Sequence, residues 1–182
     1  MKKLLLPFLL VVVFVYSCNN NGVGPENTYY WELIEFNRVS DFNAHLIDDT
    51  AVVNHAKSGQ GHGSYPGVDN WFSVRIDSGE AVWGGLPGQS QFYSIVATID
   101  SSKGEKVAYW MLLQVKQNPV FGYRKYVGGY RLNKTINAAI SKTLANPQYG
   151  NGGGWQIFIE NFSHDLIKFN EITLKDTSVT FN

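Results

Sequence analysis

The junction Gly150-Asn151-Gly152-Gly153-Gly154 into Trp155-Gln156-Ile157-Phe158-Ile159 constrains this chain more than any other stretch. Four glycines within five positions give the backbone conformations closed to other residues. The β-branched and aromatic pentad behind them predicts a buried strand. Gln156 is its first polar side chain, placed at the mouth of that strand, where a ligand would meet the sheet. A glycine-rich loop leading into a core strand explains the same pattern without any ligand.

The rest of the chain supplies enough apolar material for one sizeable domain. Of 182 residues, 14% are aromatic and only 16% charged, a composition that excludes extensive disorder. The N-terminus reads separately. Lys2-Lys3 precede an apolar run from Leu4 to Tyr16, shorter than the roughly 20 residues a membrane span needs. Residues 1–17 therefore read as a signal peptide. Val15-Tyr16-Ser17-Cys18 resembles the lipobox of bacterial lipoproteins, which implies lipidation at Cys18 and a cell-envelope location on the outer or cytoplasmic membrane. An ordinary secretory signal with a coincidental cysteine is the other reading. Diacyl and acyl chains together would hold the protein firmly on a membrane.

Removing the signal takes Lys2 and Lys3 from the balanced 15 basic and 15 acidic residues, leaving 13 against 15. Nothing in that balance points to a general nucleic-acid-binding surface. With the only cysteine lipidated, no disulfide or thiolate metal site remains, and no metal is expected.

Residues 18–27 are polar and turn-rich and read as a lipidated tether; residues 28–182 read as one domain. Thr28–Val39 is expected to be a strand with Arg38 near its end. Asp41–Lys57 shows helical spacing that Asp48-Asp49-Thr50 could divide. Ser58–Asn70 is a loop, in which His55 (just before it) and His62 lack a partner for a metal site. Trp71–Ile76 predicts a strand with Phe72, Val74 and Ile76 on one face and Arg75 on the other. A second glycine loop, Gly84-Gly85-Leu86-Pro87-Gly88, feeds an expected strand over Gln89–Ile99.

Lys106–Lys116 is a buried strand or a buried helix; periodicity leaves both open. Tyr123–Leu132 predicts a strand with a glycine bulge. Thr135–Leu144 predicts a helix ended by Pro147. Short strands are expected at Leu166–Phe169, Ile172–Leu174 and Val179–Phe181. The whole argues for an α+β domain on an antiparallel or mixed sheet.

Gly84-Gly85-Leu86-Pro87-Gly88-Gln89-Ser90-Gln91-Phe92-Tyr93, together with Asn146–Ile159, resembles bacterial polymorphic toxin domains, the TreTu toxins of the ADP-ribosyltransferase superfamily in particular. The Gly-Gly-Gly-x-Gln piece also looks like the tuberculosis necrotizing toxin family, NAD glycohydrolases on a related fold. The resemblance implies a split sheet around a cleft that clamps NAD as co-substrate. It implies catalytic roles for Arg38, Ser94 and Gln156, and NAD contacts from Arg75, Ser90, Tyr93, Gly154 and Trp155. Arg75 rivals Arg38 as the first-motif arginine. An arginine would hold pyrophosphate or ribose, an aromatic would stack on nicotinamide, and the amide would orient the ribose. It further implies an ADP-ribose acceptor and an immunity protein as partners. The third strand departs from the family pattern in lacking the usual glutamate. Glu160 is four residues beyond Gln156, about 13 Å away along an extended strand.

Two function classes thus stand. One is an NAD-consuming toxin domain on a lipid-anchored protein. The other is a non-enzymatic surface lipoprotein with an aromatic-rich binding face. A single cleft holding the site residues would separate them.

Overall fold

In the computed structural model, which describes residues 25–60, 69–85 and 90–176, helices pack on both faces of one antiparallel sheet. The elements in chain order are α1 (Pro25–Ser40), β1 (His45–Leu46), α2 (Thr50–Gln60), β2 (Phe72–Ile76), β3 (Ala81–Gly84), β4 (Phe92–Ser94), α3 (Val96–Ser101), α4 (Lys106–Leu112), β5 (Tyr126–Leu132), β6 (Ile136–Lys142), β7 (Trp155–Phe158), α5 (Phe162–Asp165) and β8 (Leu166–Thr173). The strand order is β1-β2-β6-β7-β4-β3-β5-β8, and every pairing between them is antiparallel. The α+β class and the antiparallel option are as the sequence predicts. Hydrogen bonding runs without a break through β7 and β4, where a split sheet was expected.

Alternation along each strand builds two different faces. Phe72, Val74, Ile76, Ala138, Ile140, Tyr93, Trp155 and Ile157 share the first face with Leu33 and Phe36 of α1. The second face carries Ala139, Ser141, Gln156, Phe158 and Ser94. There α2 covers Ala139 and Phe158 with Val52, Ala56 and the nearby Trp71. Further along that face, Trp83 packs with Tyr109 and Trp110 of α4.

Several expectations are corrected by this arrangement. Thr28–Val39 is helical, and α1 begins inside the expected tether. Pro25 sits at the first helical position, where its missing N–H is not needed. Leu33, Phe36 and Ser40 bury one stripe, while Trp31, Ile34 and Arg38 face out. Tyr29 stacks on Phe72 with ring centroids 5.1 Å apart. A 3.6-residue stripe this narrow is hidden when Tyr and Trp also fill the outer face. The helix stops at Asp41, whose φ is +59°, and Ser40 Oγ donates to the Phe36 carbonyl at 2.7 Å.

Thr135–Leu144 contains β6 in place of the predicted helix. Its residues 138–141 are buried on both sides because β6 lies between β2 and β7 with α1 and α2 above and below. A strand buried on both faces loses its period of two and mimics a helix. The predicted strand Gln89–Ile99 contains only β4 before turning into α3. Lys106–Lys116 resolves into α4, and the two expected strands between Leu166 and Leu174 are one, β8. Of the helical spacing over Asp41–Lys57, only the part after Asp48-Asp49 is a helix, α2, which runs on to Gln60 into the expected loop; the part before it holds β1, and Asp49 Oδ1 accepts the Val52 N–H at 3.2 Å. The bulge in β5 falls between Gly129 and Tyr130.

Residues 1–24, with the expected signal peptide and Cys18, lie outside the described residues, as do His62 and Val179–Phe181. No helix among the described residues is long and apolar enough to cross a membrane.

Candidate functional cleft

Strand β7 crosses the middle of the sheet, and register puts its one amide between two hydroxyls. Gln156 is directly opposite Ser94 on β4 and opposite Ser141 on β6. All three are buried on the second face. The next row, Phe92, Phe158 and Ala139, is apolar and closes against α2.

Buried polar groups need partners, and these have them. Ser94 Oγ lies 3.1 Å from the Trp83 carbonyl, to which it donates, and 2.8 Å from the Tyr109 hydroxyl. Burial pushes the Tyr109 phenol up, and the bond to Ser94 only partly offsets this, so it stays protonated. Gln156 Nε2 donates to Ser141 Oγ at 2.9 Å and to Asp69 Oδ2. Asp69 is itself buried and also accepts from Gln60 Nε2 at 2.5 Å and from the Leu144 N–H at 2.7 Å. Burial raises the Asp69 carboxyl above its usual range, and the hydrogen bonds from Leu144, Gln60 and Gln156 pull it back.

Ser94 and Gln156 form part of the floor of an open cleft of about 510 Å³. Gly84 and Gly85 line it beside them. Tyr109, Trp110 and Leu113 make an apolar wall, and residues 115–119 and 121–124 form the rim. Gly85 admits Arg124: a Cβ there would stand 2.8 Å from the guanidinium Nη1. The Arg124 carbonyl accepts from Trp110 Nε1 at 2.7 Å, tying the rim to α4. Lys116 is a second cation on the rim. A second hollow of about 470 Å³ adjoins at Lys116, Gln117 and Tyr123 and is bounded by Asn146–Asn151 of the glycine loop.

That loop is not free. Asn146 and Gly150 exchange backbone bonds at 2.9 and 2.8 Å, and Gly154 N donates to the Leu112 carbonyl at 3.2 Å. Gly152 has φ of +65°, and a Cβ there would sit 2.5 Å from the Leu144 oxygen. The glycines serve close approach to the β6 end and α4.

The sequence-predicted residues divide. Ser94, Gln156, Ser90 and Tyr93 border the cleft. Ser90 Oγ accepts from the Phe92 N–H at 3.1 Å, shaping the bend before β4. The Tyr93 ring alternates into the core of the first face, edge-on to Tyr130 at 5.6 Å. Trp155 does the same against Phe36 at 5.3 Å, and Gly154 lines a smaller hollow beside it. Arg38 is exposed in the last turn of α1, away from the expected strand end, and is not part of the cleft lining. Arg75 is exposed on β2 opposite His45 and Asn137 and is likewise absent from the lining. Glu160 leaves the strand and pairs with His55 Nδ1 at 2.7 Å.

Sequence reasoning missed Asp69, Ser141, Tyr109, Lys116 and Arg124. Ser141 was hidden by the helical reading of β6. Asp69 lay unnoticed at the end of a glycine-rich loop, and only the pairing of β6 with β7 brings Gln156 and Ser141 together. Among the described residues no three His, Cys, Asp or Glu side chains gather as a metal site.

No curated protein matches the chain. A solved structure, Rhs1-CT in complex with its cognate immunity protein RhsI1, is similar at 32% identity and TM-score 0.65, covering 70% of this chain and 98% of that one. The structure of Tse6 in complex with Tsi6 matches at 14% identity and TM-score 0.39, over 69% and 99% of the two chains. The family model for the Rhs1 C-terminal toxin domain matches residues 48–161, which span every residue of the cleft. The chain therefore belongs to the Rhs1 C-terminal toxin domain family, a family of polymorphic-toxin effector domains.

Proposed function

We propose that the cleft binds NAD⁺ and that the toxin acts by breaking the bond between nicotinamide and ribose. The observation that carries this reading is the direct pairing of Ser94 with Gln156 on the floor of a cleft whose rim holds Arg124 and Lys116. In the reaction the C1′–N bond breaks and both of its electrons go to the nicotinamide nitrogen, neutralising the pyridinium. The ribose is left as an oxocarbenium-like centre. Water, or a nucleophilic side chain of an acceptor protein, forms the new bond at C1′ and loses its proton to solvent.

The chain's own residues supply position and charge. Arg124 and Lys116 suit the pyrophosphate, the arginine by its planar fork of donors. The aromatic wall offers π faces to the cationic ring. Gln156 meets a ribose hydroxyl, and Ser94 backs the site through its bond to Tyr109. Arg124 thus takes the place that Arg38 or Arg75 was expected to fill.

Nicotinamide release by the full chain, purified in detergent and mixed with NAD⁺, tests this. Wild type releases nicotinamide, and Gln156→Ala slows it by about 100-fold, the size of effect seen on removing one preorganised hydrogen-bonding group. Release that is absent in wild type, or equal in the variant, ends the proposal.

We further propose an immunity protein as partner, supported by the similar Rhs1-CT being in complex with one. Lipid attachment at Cys18 is proposed from Val15-Tyr16-Ser17-Cys18 alone. Incorporation of labelled palmitate that survives Cys18→Ser would rule it out.

A further inference from the structure

We infer that Asp69 is the positioning residue that holds the Gln156 amide one way round, nitrogen to the interior and oxygen to the cleft. The inference rests on the reading of Gln156 as the group that meets substrate.

An amide side chain is nearly symmetric in shape, so its orientation is set by what its two ends face. A hydroxyl such as Ser141 Oγ cannot choose, because it both donates and accepts. A carboxylate can choose, because it only accepts. Asp69 receives three nitrogen donors: Leu144 N on Oδ1, and Gln60 Nε2 and Gln156 Nε2 on Oδ2. Each of these partners is a donor, so the carboxylate form is the one the surroundings fit.

Gln60 is itself fixed independently. Its oxygen accepts from the Asp69 N–H at 3.0 Å and from Trp71 Nε1 at 2.8 Å, so its nitrogen must face the carboxylate. The anchor for Gln156 is therefore rigid. Turning Gln156 over would set its carbonyl oxygen against a carboxylate oxygen in a buried site, two acceptors with no proton between them. Neither Asp69 nor Ser141 lines the cleft, whereas Gln156 does. With the nitrogen committed to those two, the oxygen is the group left for a substrate hydroxyl donor.

The arrangement also places a chemical demand on residue 156. A glutamate there would bring a second carboxylate against Asp69 in a buried site, so an amide suits this position and a carboxylate does not.

Two measurements on the isotope-labelled full chain in detergent test the inference. The first is the side-chain amide of Gln156 by NMR, assigned by its loss in Gln156→Ala. A through-hydrogen-bond coupling from Gln156 ¹⁵Nε2 to Asp69 ¹³Cγ is expected in wild type, which needs no variant. In Asp69→Leu, which leaves no acceptor there, the coupling disappears and amide exchange speeds by about tenfold or more, as for a lost hydrogen bond of this class. In Ser141→Ala it persists. No coupling in wild type, or unchanged exchange in Asp69→Leu, overturns the inference.

The second is nicotinamide release in a double-mutant cycle. Asp69→Asn should lower kcat by about 10- to 100-fold with little change in KM, the usual cost of losing a partner that orients a site group. Added to Gln156→Ala it should lower kcat no further, because it acts through Gln156. A full additional loss in that background means a general structural role and overturns the inference. If wild type releases no nicotinamide, the proposed function fails alone, and the amide coupling still decides the role of Asp69.

Discussion

The two faces of β7 belong to the same four residues and do opposite work. Trp155 and Ile157 enter a continuous apolar layer sealed by α1. Gln156, one position away, stands between two hydroxyls over a buried carboxylate and opens onto a cleft. One face resists change because apolar area is removed from water and packed at high density. The other resists change because each buried polar atom has a specific partner, and removing one strands another. Core and cleft are thus separated by one step of the pleat, which is why the cleft can be polar without emptying the core.

Breaking the apolar face should have the largest effect. Trp155→Ala removes a ring packed edge-on to Phe36 and should cost about 3–5 kcal/mol in urea unfolding. A loss below 1 kcal/mol would mean that β7 is not a central packing strand.

Next comes the polar face. Ser94→Ala leaves the Tyr109 hydroxyl buried without its partner and should cost about 1–3 kcal/mol. Adding Tyr109→Phe should recover part of that loss, since both ends of the bond are then apolar. A double variant less stable than Ser94→Ala contradicts the pairing.

The carboxylates sharpen the comparison through pH. Asp69 has its carboxyl raised above 3.8, chiefly by burial, so its contribution to stability is fully present below 3.8 and lost as pH rises through the raised folded value. Urea midpoints of wild type relative to Asp69→Asn should therefore decline over that range. Asp49 runs the other way. Its carboxyl is lowered, mainly by the bond from Asn137, and its contribution is present above 3.8 and lost as pH falls through the folded value. Identical pH slopes for Asp69→Asn and Asp49→Asn relative to wild type would contradict this division.

The smallest effect belongs to the rim of the apolar face. Lys142 pairs with Glu35 at 2.9 Å where both side chains are more than two-fifths exposed. Lys142→Met should change stability by about 0–1 kcal/mol, as solvent-exposed pairs do. A larger loss would assign real weight to the contact of Lys142 with the Trp155 ring.

Local pattern was readable where one force dominated. Trp155–Phe158, Phe72–Ile76 and the bulge at Gly129 follow from β-branched and aromatic runs and from glycine. It failed where burial came from two sides, as in β6, or where aromatic side chains filled the outer face of a helix, as in α1. The candidate site was legible in half. Ser94 and Gln156 were named through the resemblance that the two glycine-led strands carry, and register sets them side by side. Arg124 and Asp69 carried no local signal, because a rim arginine and a loop-end aspartate look like any solvated charge.

By itself, then, the sequence determined which residues alternate inward on β7, because side-chain period is a property of a strand alone. Which of those inward positions became core and which became cleft was decided by the tertiary structure. That choice depends on what covers each face, α1 packing over Trp155 and Ile157 on one side and α2 with α4 leaving a gap on the other, and such coverage is set by contacts between segments far apart in the chain.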